Sequence, residues 1–265
     1  MHLCQPEQGK SCGACCGLYN WHDHTRPTLT ALLRRRRALF LSLGVGPDLA
    51  HYSREAKALH HGPKLLEDIH NCEFLGFLDD GERKVGCLLH PSVNEGVDLR
   101  DFSFYGPGLC AAHLCPSYAH LTEVESLAAI NAIDDWYLYG LVITDIDFVK
   151  GFLRHAQDLL GDALRPVYLD DPRVSAALGE FFELKLNWPF ASKEPRLGKY
   201  YFTEREYRVA RIDYEKRWKF KPSRFDGILV SLSSEFHSET EVREAEAVIE
   251  GMVQRFARAY REAMR

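Results

Sequence analysis

The sequence of 265 residues lacks any run of about 18 consecutive apolar residues, so no segment reaches the length of a membrane-crossing helix. Its longest apolar candidate, around Tyr137 to Thr144, is cut short by Asp145 and Asp147. The first ten residues, Met1 to Lys10, are polar and lack the apolar stretch of a secretory signal, which predicts a cytoplasmic chain in a reducing compartment. No G-x-G-x-x-G or other nucleotide loop occurs, nor any internal repeat or low-complexity tract. A basic excess is missing too: the net charge of −5 and pI near 6.2 argue against a general nucleic-acid binder. Nor is there a cysteine anywhere after Cys115.

What remains is ordinary globular material. The chain is 46% hydrophobic, 27% charged and 12% aromatic, which excludes disorder and supports one large domain or two small ones. Its charge is uneven. Residues 1–65 hold nine Lys/Arg against four Asp/Glu, a net of +5, so the other residues carry −10.

All eight cysteines crowd into the same end: Cys4, Cys12, Cys15, Cys16, Cys72, Cys87, Cys110 and Cys115. In a reducing compartment structural disulfides are rare, and thiolate ligands for a soft metal become the leading reading. Cys12-Gly-Ala-Cys15-Cys16 is a C-x2-C-C knuckle whose sulfurs three apart reach one ion. The adjacent Cys16 fits poorly on that ion, because neighbouring side chains diverge on both helix and strand. It suits a different iron of a cluster, a second metal, or a pocket. Downstream, Cys72-Glu-Phe-Leu and Val85-Gly-Cys87-Leu-Leu-His90 read as strand-like segments around an Asp79-Asp80-Gly81 turn. Pro107-x2-Cys110-x4-Cys115-Pro116 completes the series.

On these elements the chain resembles the CxxCxxCC family of zinc- or iron-chelating proteins (the YkgJ type). Cys12 to Cys16 match the core motif, Cys72 to Leu75 the second element, Gly86 to His90 the third, and Pro107 to Cys115 the last. The family's first cysteine falls at Gly9 here, with Cys4 upstream as its substitute. The resemblance spans about residues 4–118 and implies chelation, with all eight cysteines as ligands. A related group, the flagellin lysine-N-methylases, carries a similar motif and an iron–sulfur cluster. Without a nucleotide loop, methylase activity is not carried over to this chain.

Other features have blander readings beside sharper ones. His22-Asp23-His24 and His60-His61 read as solvated loops more readily than as chelates. His90 and His113 lie inside the cysteine elements, as candidate ligands or donors to ligands. Tyr19, Trp21 and Tyr105, with these two, are candidate pocket walls. Arg34 to Arg37 sit on a helix expected over Thr28 to Leu43, and four consecutive residues sweep the whole helix circumference. They predict ion pairs on a solvated face, with an anionic substrate or phosphate as the sharper alternative. The pairs Asp79-Asp80, Asp134-Asp135 and Asp170-Asp171 read as turns or helix surface.

The second half reads as helices. Thr122-x-x-Glu125, Thr203-x-x-Glu206 and Ser238-x-x-Glu241 are capping boxes, the second opening a helix through Trp218. Asp145 to Leu160 carries Phe148, Phe152, His155 and Leu159 at near-helical spacing. Asp171-Pro172 opens a segment to about Leu186, and Pro189 to Lys199 is a loop. In the last helix Val242, Ala245, Ile249, Met252, Phe256, Tyr260 and Ala263 form an apolar stripe. The expected fold is mainly α with a small irregular or β-hairpin cysteine-rich metal region. Residues 1–118 form that zinc- or iron-chelating region, and 119–265 a helical region packed on it, as two domains or one.

The expected function is chelation of an iron–sulfur cluster or zinc by clustered thiolates, with a redox or group-transfer enzyme left open. The alternatives are a structural zinc staple, or an anion- or nucleic-acid-binding module using the basic first 65 residues. The substrate or protein partner is not legible; a membrane partner is not expected.

Overall fold

A computed structural model describes the whole chain except residues 1, 7, 8, 45, 47, 60, 61, 195–198, 203, 204 and 209, and the backbone alone at 199–202 and 205–208. The described chain is mainly helical. No helix among the described residues is long and apolar enough to cross a membrane. The chain divides into two compact units, Met1–Cys115 with Asp135–Gly140, and Pro116–Asp134 with Leu141–Arg265.

The first unit is short-elemented. Helix α1 (Arg26–Ser42) starts with Pro27 in its first turn, where the missing N–H costs nothing. It buries Leu29, Leu32, Leu33 and Arg36, an i, i+3, i+4, i+7 stripe. Helix α2 (Leu49–Ala58) begins where the Asp48 side chain accepts from the His51 N–H. Strands β1 (Leu75–Phe77) and β2 (Val85–Cys87) pair antiparallel, Leu75 opposite Cys87 and Phe77 opposite Val85. Asp79 shapes the connection by accepting from the Lys84 and Arg83 N–H groups. Helix α3 (Gly106–Ala112) buries none of its residues.

The core of this unit joins Leu49, Tyr52 and Ala56 of α2 to Cys72, Phe74, Leu88 and Leu89. Against β1 lies α1, and the arginine run divides its labour. Arg34 pairs with Glu82, Arg37 with Asp80, and Arg36 is buried, donating to the Cys72 carbonyl at 2.9 Å. Residues 135–140 belong here because tyrosines tie them down: Tyr139 donates to the Leu3 carbonyl at 2.7 Å and Tyr137 to that of His24 at 2.9 Å.

The second unit is a helical array. Its elements run α4 (Ser117–His120), α5 (Glu123–Ala132), the end of α6 (Trp136–Ile143), α7 (Ile146–Leu160), α8 (Pro166–Leu169), α9 (Pro172–Phe182) and α10 (Leu184–Asn187). Then come β3 (Lys199–Phe202), β4 (Arg205–Arg208), α11 (Tyr214–Trp218), α12 (Asp226–Ser231) and α13 (Glu239–Ala263). Helices α7, α9 and α13 meet through rings: Phe181 stacks on Phe148 at 4.4 Å and on Phe152 at 3.9 Å, and Phe152 meets Phe256 at 5.6 Å. A capping box at Thr122 caps α5, the Ser238 side chain caps α13 with Glu241 reaching back to the His237 N–H, and Asp145 and Asp171 cap α7 and α9.

Three expectations are corrected. The segment from Glu206 to Trp218 is not one helix: Arg205–Arg208 pairs antiparallel with Lys199–Phe202, and helix appears only from Tyr214, capped by Asp213. Aromatic-rich sequence around Tyr200 and Tyr207 suits a strand better than a helix; Thr203 lies outside the described residues, as do 195–198 of the expected loop. Leu159 is exposed rather than on the core face of α7, and His155 is half-buried against the Arg224 carbonyl. On α13 Val253 takes the buried place that the stripe gave to Met252, and Ala263 is half-buried at the fraying end.

Candidate metal centre

The knuckle is a single tight turn. Ala14–Cys16 forms a 3-10 turn closed by Gly17, whose φ of +78° is left-handed. A Cβ on Gly17 would lie 2.5 Å from the His70 carbonyl and 2.7 Å from the Asn71 Cα. Glycine is therefore required twice, for the conformation and for the passage of the 70–72 backbone. That passage has a consequence: the Cys72 N–H donates to the Cys16 carbonyl at 2.9 Å. On the other side of the turn, the Cys12 N–H donates to the Cys4 carbonyl at 2.8 Å. Two backbone hydrogen bonds thus bring different distant cysteines to the two ends of one motif.

The thiols that act on one another electrostatically sort accordingly. The Cys15 thiol is raised first by a hydrogen bond with Cys115, and by repulsion from Cys12, Cys115 and Cys4, although the residue itself is exposed. Burial raises Cys12, with Cys115 and Cys4 adding to it and a backbone N–H from Ala14 opposing it. Cys16 is raised by burial and then by Cys72, Cys87 and Cys110, with Cys12 the weakest contributor. Burial pushes Cys72 up to about 12, against a backbone N–H from Phe74. Burial raises Cys87 also, a Leu89 N–H opposing and Cys110 adding. One set is Cys4, Cys12, Cys15 and Cys115; the other is Cys16, Cys72, Cys87 and Cys110. The neighbours Cys15 and Cys16 fall on opposite sides of this division.

Each set offers four sulfurs, the number and type that suit zinc or an iron–sulfur centre rather than magnesium or calcium. Buried thiols without a cation stay neutral, and a cation reverses that preference by stabilising the thiolate. Backbone N–H groups of Ala14, Phe74 and Leu89 already point at Cys12, Cys72 and Cys87, each two residues on, and favour the charged form. No disulfide links the described cysteines. The sulfurs are neighbours without being drawn together. Among the described residues, the donor atoms that all lie within 4.8 Å of one another are those of His70, Cys72 and Glu73. No three of the described sulfurs approach one another to the roughly 3.5–4 Å that thiolates on one tetrahedral ion require.

The second set has the richer surroundings. Cys110 lies on α3 with its sulfur 3.4 Å from the Ser103 hydroxyl, and Cys87 ends β2. Arg100 faces Cys87 and Cys110, although its own ion pair is with Asp98 at 2.6 Å. Buried Arg36 supplies positive charge beside Cys72, Glu73 and Cys16. In the first set, Tyr19 lies near Cys12 and donates to the Tyr137 carbonyl at 3.0 Å. Reading the sequence placed Arg36 on a solvated face where the structure buries it, and it missed His70 and Glu73. Their only signal is position, Glu73 directly after a motif cysteine and His70 two residues before it.

Other sequence candidates settle into structural roles. The His90 ring accepts from the Ser92 N–H at 3.1 Å and caps a 3-10 turn, and His113 is exposed at the end of α3. His22 is exposed, while His24 holds its Nδ1 2.8 Å from the Trp21 carbonyl, so the pair does not converge. His60 and His61 lie outside the described residues. Trp21 pairs by a backbone bridge with Lys64. Of the expected pocket walls, Tyr105 stands against His70 with ring centres 5.5 Å apart. Comparison with protein families, with curated proteins and with solved structures finds no match to this chain.

Proposed function

We propose that the chain is a metal-binding protein with two four-thiolate centres, Cys4/Cys12/Cys15/Cys115 and Cys16/Cys72/Cys87/Cys110, each taking zinc or an iron–sulfur cluster. The observation that carries the reading is the pair of backbone hydrogen bonds that set Cys4 beside Cys12 at one end of the knuckle and Cys72 beside Cys16 at the other, and the electrostatic neighbours of Cys15 and Cys16 divide the same way. The resemblance to the CxxCxxCC family supports chelation through the seven cysteines from Cys12 to Cys115 that match its elements, with Cys4 upstream of the family's first position. Zinc held by four thiolates stiffens the chain, whereas an iron–sulfur cluster supplies electron transfer. The anion-binding alternative loses support, because Arg34 and Arg37 are engaged by Glu82 and Asp80 and Arg36 is buried.

Anaerobic purification followed by metal and sulfide analysis tests the proposal. Cys12→Ser and Cys110→Ser sit in different sets, so each is expected to lose about half of the bound metal and the double variant nearly all. A wild-type chain without metal, or single variants with undiminished metal, overturns the reading.

A further inference from the structure

We infer that His70, Cys72 and Glu73 form an additional metal site of mixed nitrogen, sulfur and oxygen donors, sharing the Cys72 sulfur with the second thiolate set. The three donor atoms lie within 4.8 Å of one another. Glu73 is only 3% exposed, yet its Oε2 has no hydrogen-bond partner, and neither has the buried Nε2 of His70. These two atoms face each other at 3.5 Å. Polar atoms closed off from water are nearly always satisfied; this contact is long and pairs the two only when the imidazole is protonated, whereas a cation beside the Cys72 sulfur would satisfy both atoms together.

The surroundings fix these donors. The other carboxylate oxygen of Glu73 is held by the Ser53 hydroxyl at 2.6 Å and the Lys57 ammonium at 3.1 Å, both from α2, leaving Oε2 for the site. Tyr52 donates to the Glu73 carbonyl at 3.0 Å and Arg36 to that of Cys72 at 2.9 Å. Phe104 stacks on the His70 ring at 4.3 Å and Tyr105 meets it edge-on, setting its orientation. Imidazole, thiolate and carboxylate together suit zinc or ferrous iron and not magnesium or calcium. Sites with three protein ligands keep a position for water or substrate, unlike closed four-thiolate sites. Phe104 is 71% exposed, so this site lies next to the surface, where such a ligand can arrive. A thiolate has lone pairs enough to serve two ions, so Cys72 need not leave its own set.

The inference rests on the thiolate reading of Cys72, and the test separates the two. The full-length chain is saturated with Zn²⁺, dialysed and analysed for metal, then repeated with Co²⁺ as a spectroscopic probe. Wild type is expected to hold one ion more than the two thiolate sets account for. Glu73→Gln keeps the side chain's shape and is expected to lose that one ion while keeping the rest. His70→Ala is expected to lose the same ion and to change the cobalt spectrum, whereas His90→Ala does neither. Equal metal content in wild type, Glu73→Gln and His70→Ala overturns the additional site and leaves the thiolate centres standing. A wild-type chain that holds no ion overturns both.

Discussion

Eight of the largest fully buried side chains are aromatic rings of the second unit, among them Phe148, Phe152, Phe181 and Phe256, and four belong to the first: Tyr52, Phe74, Phe77 and Tyr139. The first unit has strands of three residues and a helix, α3, that buries nothing. It also has every cysteine. Apolar burial is the default way to hold a chain, and a region short of it needs cross-links or metal. If the proposed thiolate centres are right, the two units differ in what their folding depends on: ring packing in one, cation binding in the other.

The largest effect that can break this comparison is metal removal. A structural four-thiolate zinc site contributes on the order of 10 kcal/mol to folding, which exceeds the net stability of a small domain. Chelation is expected to abolish hydrogen-exchange protection in residues 70–90 while leaving α7, α9 and α13 protected. Equal loss in both regions, or in neither, would show that the division of labour is wrong. Phe181→Ala is the converse test, with an expected cost of about 3–5 kcal/mol from the cavity beside Phe148 and Phe152. Denaturation should register it in the second unit alone, at unchanged metal content.

How much of this was legible in the sequence follows the same line. In the second unit, 3-or-4 spacing and polar caps act locally, so α5, α7, α9 and α13 were readable from Thr122, Asp145, Asp171 and Ser238 onward. The exception, Arg205–Arg208, pairs across a turn, and strand pairing is a non-local choice. In the first unit the clustering of cysteines was legible, and the awkwardness of adjacent Cys15 and Cys16 pointed to a division. Which sulfurs go together was not legible. That depends on a backbone crossing at Gly17 and on hydrogen bonds from Cys12 to Cys4 and from Cys72 to Cys16, which no periodicity encodes. His70 and Glu73 escaped for the same reason, since a lone residue near a motif is common and only its burial gives it meaning, whereas Arg36 was read as part of a solvated arginine run and the tertiary packing of α1 on β1 buries it.

That crossing can be probed alone. Gly17→Ala places a methyl against the His70 carbonyl and demands a left-handed alanine, at a cost of about 1–3 kcal/mol. The strain falls between Cys16 and Cys72, so metal content is expected to drop by up to half, with the Cys4/Cys12/Cys15/Cys115 set retained. Double variants decide by elemental analysis: Gly17→Ala with Cys110→Ser should keep about half of the metal and Gly17→Ala with Cys12→Ser nearly none, and the opposite outcome reverses the assignment of sets.

The smallest effect sharpens the comparison from the other side. Thr122 and Glu125 form a reciprocal cap on α5: the Thr122 hydroxyl accepts from the Glu125 N–H at 3.3 Å, and the Glu125 carboxylate accepts from the Thr122 N–H at 2.8 Å. Lys150 of α7 joins the same carboxylate at 2.9 Å, so the cap also tethers two helices. Thr122→Ala removes one bond of the box and is expected to cost about 1 kcal/mol, lowering the Tm of the second unit by a few degrees. Glu125→Gln keeps the box but weakens the tie to Lys150, and its cost should be smaller. The carboxylate is mostly shielded, but its lysine partner is 41% exposed, and ion pairs so open to water add little. Both variants should bind the full complement of metal. A cap substitution more than a hundred residues from Cys16 that nonetheless stripped metal would mean that the second unit's helices set the thiolate geometry, and the contrast between cation-held and ring-packed units would fail.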